Sequence, residues 1–593
     1  MINENYLPKF YVMSLFINDY SKKNILLLTV EMSSETKKVY ALSNGFPYSH
    51  NPSSSIVAKP DGPILLEDLH LVENIAHFVR ERIPERVVHA KGGGCKFEFE
   101  LTDSLSDITY AAPYQNVGYK CPGMIRVSEV TESIGGPDTV RDPRGFSFKL
   151  YTDWGNHDWV FNNSPTFFIR DGAKFPQFVH TQKKDPETHL DAAEDSTTFW
   201  DFYTQNLESI HQIVYVLGPR GIPKSWTEMN AYSGHTFRMV NDKGEITYVN
   251  YHIKSDDGFT NLTNEEAANL AATRPDFNIA QLRKDVKDGK NGKQPSYTCY
   301  LQTMTVKQAE EFRYSINDLT KIWPHKEFPL RKFGKITLTE NVENFFQDIE
   351  QLAFSPANTC IPGIEPTNDN ILQTRLFAYG DTQRYRLGVN YQQLPVNRPR
   401  NLNGATSNGC PYAPDLPKCP YVSSNFQRDG AGSYFNQGNL PTYVSGQSNA
   451  KLEYKALNAE DFAKNKYKGT VTEADLKKYI AEQEAARISH ETIINSKLPG
   501  YNSVSGVSPL DLEQARDLYE RIYTEEEKKD MIQNVIDGAS NIANSQLKTT
   551  ISQYFGLLNP KAGKSIADGL GVTWSPVDFE TYVNDVVGRA SPQ

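Results

Sequence analysis

The chain has 593 residues, enough to bury a large core and to hold more than one domain. Its 72 carboxylates against 62 Lys and Arg make it mildly acidic, which argues against nucleic acid or an anionic membrane as its main partner. The longest apolar run near the start, Ile25 to Val30, is far short of the roughly 20 residues that cross a bilayer. No basic region followed by an apolar stretch marks a secretory signal.

In chain order, Met32-Ser33-Ser34-Glu35 reads as a natural start, so residues 1–31 are expected to be either an upstream extension or no part of the native protein. Residues 32–75, rich in Ser, Pro and Asn, read as an extended N-terminal arm. From Val87 to Val179, alternating runs such as Phe97–Leu101 and Phe146–Leu150 read as strands, and Thr198 to His211 reads as a helix. Strands resume over Ile213–Leu217, Thr236–Val240 and Thr247–Tyr251. Many antiparallel strands in sequence predict a barrel. Residues 392–450 form a wrapping segment rich in Pro, Gly and Asn. Residues 451–497 are charged and helix-prone, and Asp511–Tyr523 and Glu525–Leu558 carry helical spacing. The cysteines, 95, 121, 299, 360, 410 and 419, form no CxxC and no zinc-like cluster, which fits a reducing compartment.

The most informative stretch is Arg375-Leu376-Phe377-Ala378-Tyr379-Gly380-Asp381-Thr382-Gln383-Arg384-Tyr385-Arg386. Arg375 and Tyr379 are four apart, so on a helix they share a face, with Arg386 nearly in line. A guanidinium against a phenol oxygen favours the phenolate, and a phenolate suits ferric haem iron. By spacing alone, a surface helix with a stacked aromatic and some arginines is the favoured reading, since Arg/Tyr pairs four apart are common. Upstream stands a second long motif, Phe78-Val79-Arg80-Glu81-Arg82-Ile83-Pro84-Glu85-Arg86-Val87-Val88-His89-Ala90-Lys91-Gly92-Gly93-Gly94.

Both segments resemble the signature patterns of the monofunctional haem catalases, around the distal histidine and the proximal tyrosine. The resemblance spans about residues 40–400. It takes in Asp138-Thr139-Val140-Arg141-Asp142-Pro143-Arg144-Gly145-Phe146, Asn162-Asn163-Ser164-Pro165-Thr166-Phe167-Phe168-Ile169-Arg170-Asp171 and Trp323-Pro324-His325. It implies an α+β catalase fold: an eight-stranded antiparallel β-barrel with an N-terminal arm, a wrapping segment and a C-terminal α-helical region. Residues 76–391 become the haem-binding core, and 451–593 a charged helical insertion followed by C-terminal helices. The stretch 401–419 looks inserted. The stretch beyond Leu558 is too short for the flavodoxin-like domain of large-subunit members, so the expected type is small-subunit.

The resemblance also assigns roles. His89 is the proton shuttle, Asn162 the distal amide, Ser128 the partner that fixes the imidazole, and Tyr379 the iron ligand, with haem b as cofactor. Arg375 contacts the ligand; Arg86, Arg126 and Arg386 lie near the haem carboxylates. Phe175 stacks on the haem, Phe354 and His235 lie on its proximal side, and Val88 adjoins His89. Val88, Val130 and Phe167 line a narrow channel with Asp142 at its entrance. NADPH positions match at His211, Tyr215, Arg220, Lys254, Ile322, Trp323 and His325, although Gly218 replaces a serine that usually helps. The implied activity is disproportionation of hydrogen peroxide by a homotetramer in peroxisome or cytoplasm, without a Ser-Lys-Leu-type address. One rival is a catalase-like enzyme acting on organic hydroperoxides, of the allene oxide synthase type; another is a haem carrier without turnover. The sequence departs from the family at Gly93–Glu98 and at Glu129, which on a strand points away from the Ser128 face.

Overall fold

A computed structural model describes residues 39–192, 194–290, 292–399, 427, 429–433, 459–496 and 506–590. The expected 1–31 extension, the 401–419 insertion, Cys410, Cys419 and most of the 392–450 wrap lie outside the described residues. The chain divides into two units, Met1–Ile83 and Pro84–Gln593.

In the first unit the described residues are irregular up to Asp68, with short bridges at Ala41–Pro47 and Val57–Ile64. The expected arm ends earlier than residue 75, because Leu69–Phe78 is a helix. Asp68 caps it, accepting from Leu71 N–H at 3.1 Å. The helix shows Leu69, Val72, Ile75 and Phe78 to solvent, so its apolar spacing finds no core among the described residues of this unit.

Among the described residues the second unit is built on ten antiparallel strands: β1 Gly92–Leu101, β2 Lys120–Glu129, β3 Arg144–Thr152, β4 Gly155–Asn162, β5 Ala231–Tyr232, β6 Phe237–Val240, β7 Ile246–Ser255, β8 Ser296–Thr305, β9 Arg331–Asn341 and β10 Ile364–Pro366. Eight close a ring in the order β7-β5-β4-β3-β2-β1-β9-β8, with β8 returning to β7; β6 and β10 extend from β7 outside the ring. Closure removes free edges. Alternation places Cys95, Phe97, Ile125, Phe148, Trp159, Tyr251 and Phe333 in one buried cluster. The opposite face of β1–β4 carries the site.

A second apolar cluster joins the helices Thr197–Gln205 and Ile210–Leu217 to the C-terminal helices Leu510–Asp517, Glu525–Ala539, Ser545–Gly556 and Pro560–Leu570. Here the reading of Ile213–Leu217 as a strand is corrected: the segment is the end of the helix Ile210–Leu217, all of whose residues are buried. A run that is apolar on every side lacks a period, so a buried helix and a buried strand read alike. The predicted helix from Thr198 to His211 is interrupted: it stops at Gln205, passes through a short 3₁₀ turn and resumes at Ile210. A buried ion cluster ties Leu510–Asp517 to this core. Asp511 meets Arg170 at 2.7 Å and Lys321 at 2.6 Å, and Asp318 meets Arg170 at 2.9 Å. Burial alone would raise the Asp511 carboxyl, but Lys321 and Arg170 hold it below its ordinary range. The charged segment 459–496 forms two helices, Ala459–Tyr467 and Glu473–Ser496.

Candidate active site

Strand register assembles the distal side. Gly92 pairs with Ser128, Ser128 with Gly145, and Gly145 with Asn162, giving one row across β1–β4. The next row on that face runs Gly94, Arg126, Ser147, Val160. His89 enters just before β1 and leans over the first row. A Cβ at Gly145 would lie 2.5 Å from His89 Nδ1 and 2.7 Å from Ser128 Oγ, so only glycine leaves room for the imidazole. His89 Nδ1 is 3.0 Å from Ser128 Oγ, and its backbone N–H donates to Val130 O at 3.1 Å. The backbone of His89 has φ +67°, a left-handed conformation that costs a non-glycine residue of order 1 kcal/mol and recurs where a side chain must be aimed. Burial, then the cations Arg126, Arg375 and Arg86, push its imidazole down to about 3, with only the Glu129 carbonyl pulling the other way. His89 is therefore neutral near pH 7.

The proximal side is carried by the helix Asn370–Leu387. Asp369 caps it through Oδ1, which accepts from Leu372 N–H at 3.1 Å, while Oδ2 lies 2.6 Å from His235 Nδ1. A guanidinium only donates, so His235 Nε2 accepts from Arg375 Nη1 at 2.7 Å, and Nδ1 is left to donate to Asp369. Arg375 Nη2 then donates to Val160 O at 3.0 Å and to Tyr379 Oη at 2.8 Å. This Asp369–His235–Arg375 chain fixes the phenol oxygen from behind. Asp369 is not among the residues read from the sequence; its signal was that of a helix cap.

His89 and Tyr379 line one cavity with an empty volume of about 830 Å³, together with Val88, Ser128, Val160, Phe161, Asn162, Phe175, Phe354, Ala378 and Gln383. An adjoining cavity of about 870 Å³ shares His89, Asn162, Phe175 and Tyr379 and adds Val130, Phe167, His235 and Arg375. The first is also lined by Arg86 and Arg126. Arg386 lies behind them, its Nη2 donating to Glu350 O at 2.7 Å. Burial lowers Arg126 to about 10 and depresses Arg86 and Arg386 as well, the first further by neighbouring cations. The Nε groups of Arg126 and Arg386 are buried without a hydrogen-bond partner.

These features fit haem. A phenol oxygen is held in place by a cation, the walls are apolar, and buried guanidinium groups with spare donors sit where anionic edge groups would lie.

Other expected residues lie elsewhere. Asp142 lines neither cavity; it is 3% exposed and its Oδ2 accepts from the N–H groups of Val130 and Thr131 at 2.6 and 2.8 Å, behind the channel wall. Glu129 points away from the Ser128 face, fully buried 2.6 Å from Arg144 but poorly aligned for a hydrogen bond. Burial pushes its carboxyl up although Arg144 pulls it down. His211, Tyr215, Arg220, Lys254, Ile322, Trp323 and His325 line neither cavity. His211 Nδ1 lies 3.1 Å from Thr320 O, and Arg220 stacks 4.1 Å from the Phe259 ring. Gly218 packs against the phenol of Tyr523, which a Cβ there would strike.

The family model "Catalase" matches residues 41–450. The chain is similar to Catalase T of Saccharomyces cerevisiae strain YJM789, 58% identical over 551 residues, covering 92% of this chain and 96% of that protein. It is similar to the peroxisomal catalase of Candida tropicalis, 48% identical over 420 residues, covering 71% and 81%. The solved structure of catalase A from Saccharomyces cerevisiae superposes with a TM-score of 0.75 at 36% identity, covering 90% of this chain and 99% of that one. The chain belongs to the catalase family.

Proposed function

We infer that the chain binds haem b between His89 and Tyr379 and disproportionates hydrogen peroxide to water and dioxygen. The observation that carries this reading is that His89 and Tyr379 line one cavity, each oriented by its own supporting groups. Haem would supply an iron centre able to take up and return oxidising equivalents, with Tyr379 as its protein ligand. A neutral His89 accepts a proton from one peroxide oxygen and returns it to the other, so that water can leave. Ser128 holds the ring, and Asn162 offers its amide to orient the peroxide. Val88, Val130 and Phe167 admit a small molecule and crowd a fatty chain. Arg86 and Arg126, backed by Arg386, hold the haem carboxylates; Phe175 and Phe354 flank the ring. The organic hydroperoxide reading is not favoured: the relatives compared carry the name catalase. The test is His89→Ala, which should lower oxygen release by roughly 10²–10⁴-fold with haem content unchanged; full activity would overturn the assignment.

The domain limits, with a core over 76–391 and a wrap over 392–450, follow the family pattern. A small-subunit architecture is supported by the described residues 506–590, which hold helices and no strand. NADPH at the His211–His325 cluster is supported by Arg220 and Lys254. Burial, and then the Arg220 cation, lower the Lys254 pKa, so an anionic phosphate would relieve the pair. Tyr523 beside Gly218 narrows that site. A homotetramer is supported by exposed apolar side chains at Leu69, Val72 and Phe78, and at Phe377 and Tyr385. Among the described residues no helix is long and apolar enough to cross a membrane; peroxisome and cytoplasm both remain in the reading.

A further inference from the structure

Glu350 is the feature of the site that no residue pattern announced. It is 6% exposed and ends a single π-helical turn, Phe346–Glu350; such turns recur at functional sites. The turn and the residues after it aim carbonyls at two buried arginines. Arg86 Nη2 donates to Ile349 O, Glu350 O and Leu352 O at 3.1, 3.0 and 2.9 Å. Arg386 donates to Glu350 O through Nη2 at 2.7 Å and through Nη1 at 3.2 Å. The Glu350 carboxylate faces the same pair, Oε1 standing 3.3 Å from Arg86 and 3.5 Å from Arg386, while Oε2 has no hydrogen-bond partner. Arg126 closes the group, near enough for its charge to bear on Arg86.

Three guanidinium groups around one carboxylate would repel one another if left to themselves in a dry pocket. One carboxylate and a set of turn carbonyls hold Arg86 and Arg386 together, while Arg126 donates to Ala90 O at 3.0 Å; the three cations and one carboxylate leave two positive charges in excess.

We propose that Glu350 is a positioning residue that locks Arg86 and Arg386 in place ahead of ligand, so that the cavity selects a tetrapyrrole bearing two free carboxylates. This rests on the haem reading above. It predicts that the selectivity, and not only the affinity, depends on Glu350.

The experiment titrates the full-length apoprotein with haem and with haem dimethyl ester, whose carboxylates are masked, and takes the ratio of the two affinities. Wild type should favour the free diacid. Glu350→Gln should lower that ratio about tenfold, with affinity for the diester nearly unchanged, and Glu350→Asp, which keeps the charge but draws it back, should restore part of it. A parallel loss of both porphyrins would show a merely structural role and overturn the proposal. So would an unchanged ratio, or a ratio raised by the extra positive charge. Should Glu350→Gln fail to fold, the Glu350→Asp ratio decides, an unchanged value counting against the proposal. If wild type binds neither porphyrin, the haem reading itself fails, which is a separate result.

Discussion

The low imidazole pKa of His89 makes a demand on the pH profile. Burial contributes most to it, ahead of Arg126, Arg375 and Arg86, so its direction survives when haem carboxylates offset those cations. With a pKa of about 3, His89 is about 99% neutral at pH 5.5, whereas an ordinary imidazole at 6.5 would be about 9% neutral. Oxygen release at low peroxide should therefore be flat within about twofold from pH 5.5 to 9. An imidazole with the ordinary value would instead cost about tenfold by pH 5.5, half of it gone near pH 6.5. The fold must be checked in parallel. His157 and His211 are lowered to about 4 and His252 to about 3, all by burial first. Each folded value lies below the unfolded one, so the stability these residues contribute is complete above pH 6.5 and is lost as pH falls towards 4. At pH 5.5 each withdraws about 1.4 kcal/mol. An activity loss centred on pH 6.5 with unchanged circular dichroism would refute the neutral His89.

Three further outcomes rest on the same geometry. Tyr379→Phe removes the oxygen that accepts from Arg375, so the purified variant should carry little haem; a normal Soret band would contradict the ligand assignment. Asp511→Ala leaves Arg170 and Lys321 buried with Asp318 as their remaining carboxylate among these contacts, which should cost about 3–5 kcal/mol of stability; calorimetry showing an unchanged unfolding temperature would sink that reading. Light scattering at micromolar concentration should report four copies, and a stable active monomer would remove the homotetramer.

Part of the barrel was legible because the runs Phe97–Leu101 of β1 and Phe146–Leu150 of β3 alternate, with Phe97 and Phe148 inward. The helix Ile210–Leu217 was not, since burial on all sides erases its period. The helix Leu69–Phe78 was missed within a stretch whose composition otherwise reads as loop. At the site, motif spacing pointed to Arg375 and Tyr379, but it could not show that Gly92, Ser128, Gly145 and Asn162 share one row, which is a matter of register between distant segments. Asp369 and Glu350 escaped for a related reason. Asp369 reads locally as a helix cap while its second oxygen meets His235, 134 residues away, and Glu350 meets Arg86 and Arg386, far from it in sequence.

The central claim is that this cavity turns over hydrogen peroxide itself. Purified, haem-loaded protein in an oxygen electrode should release one dioxygen for every two hydrogen peroxide molecules consumed, while consuming a lipid hydroperoxide only slowly. Slow oxygen release from hydrogen peroxide beside rapid consumption of the lipid hydroperoxide would contradict the account, leaving only the fold and the Tyr379 ligand in place.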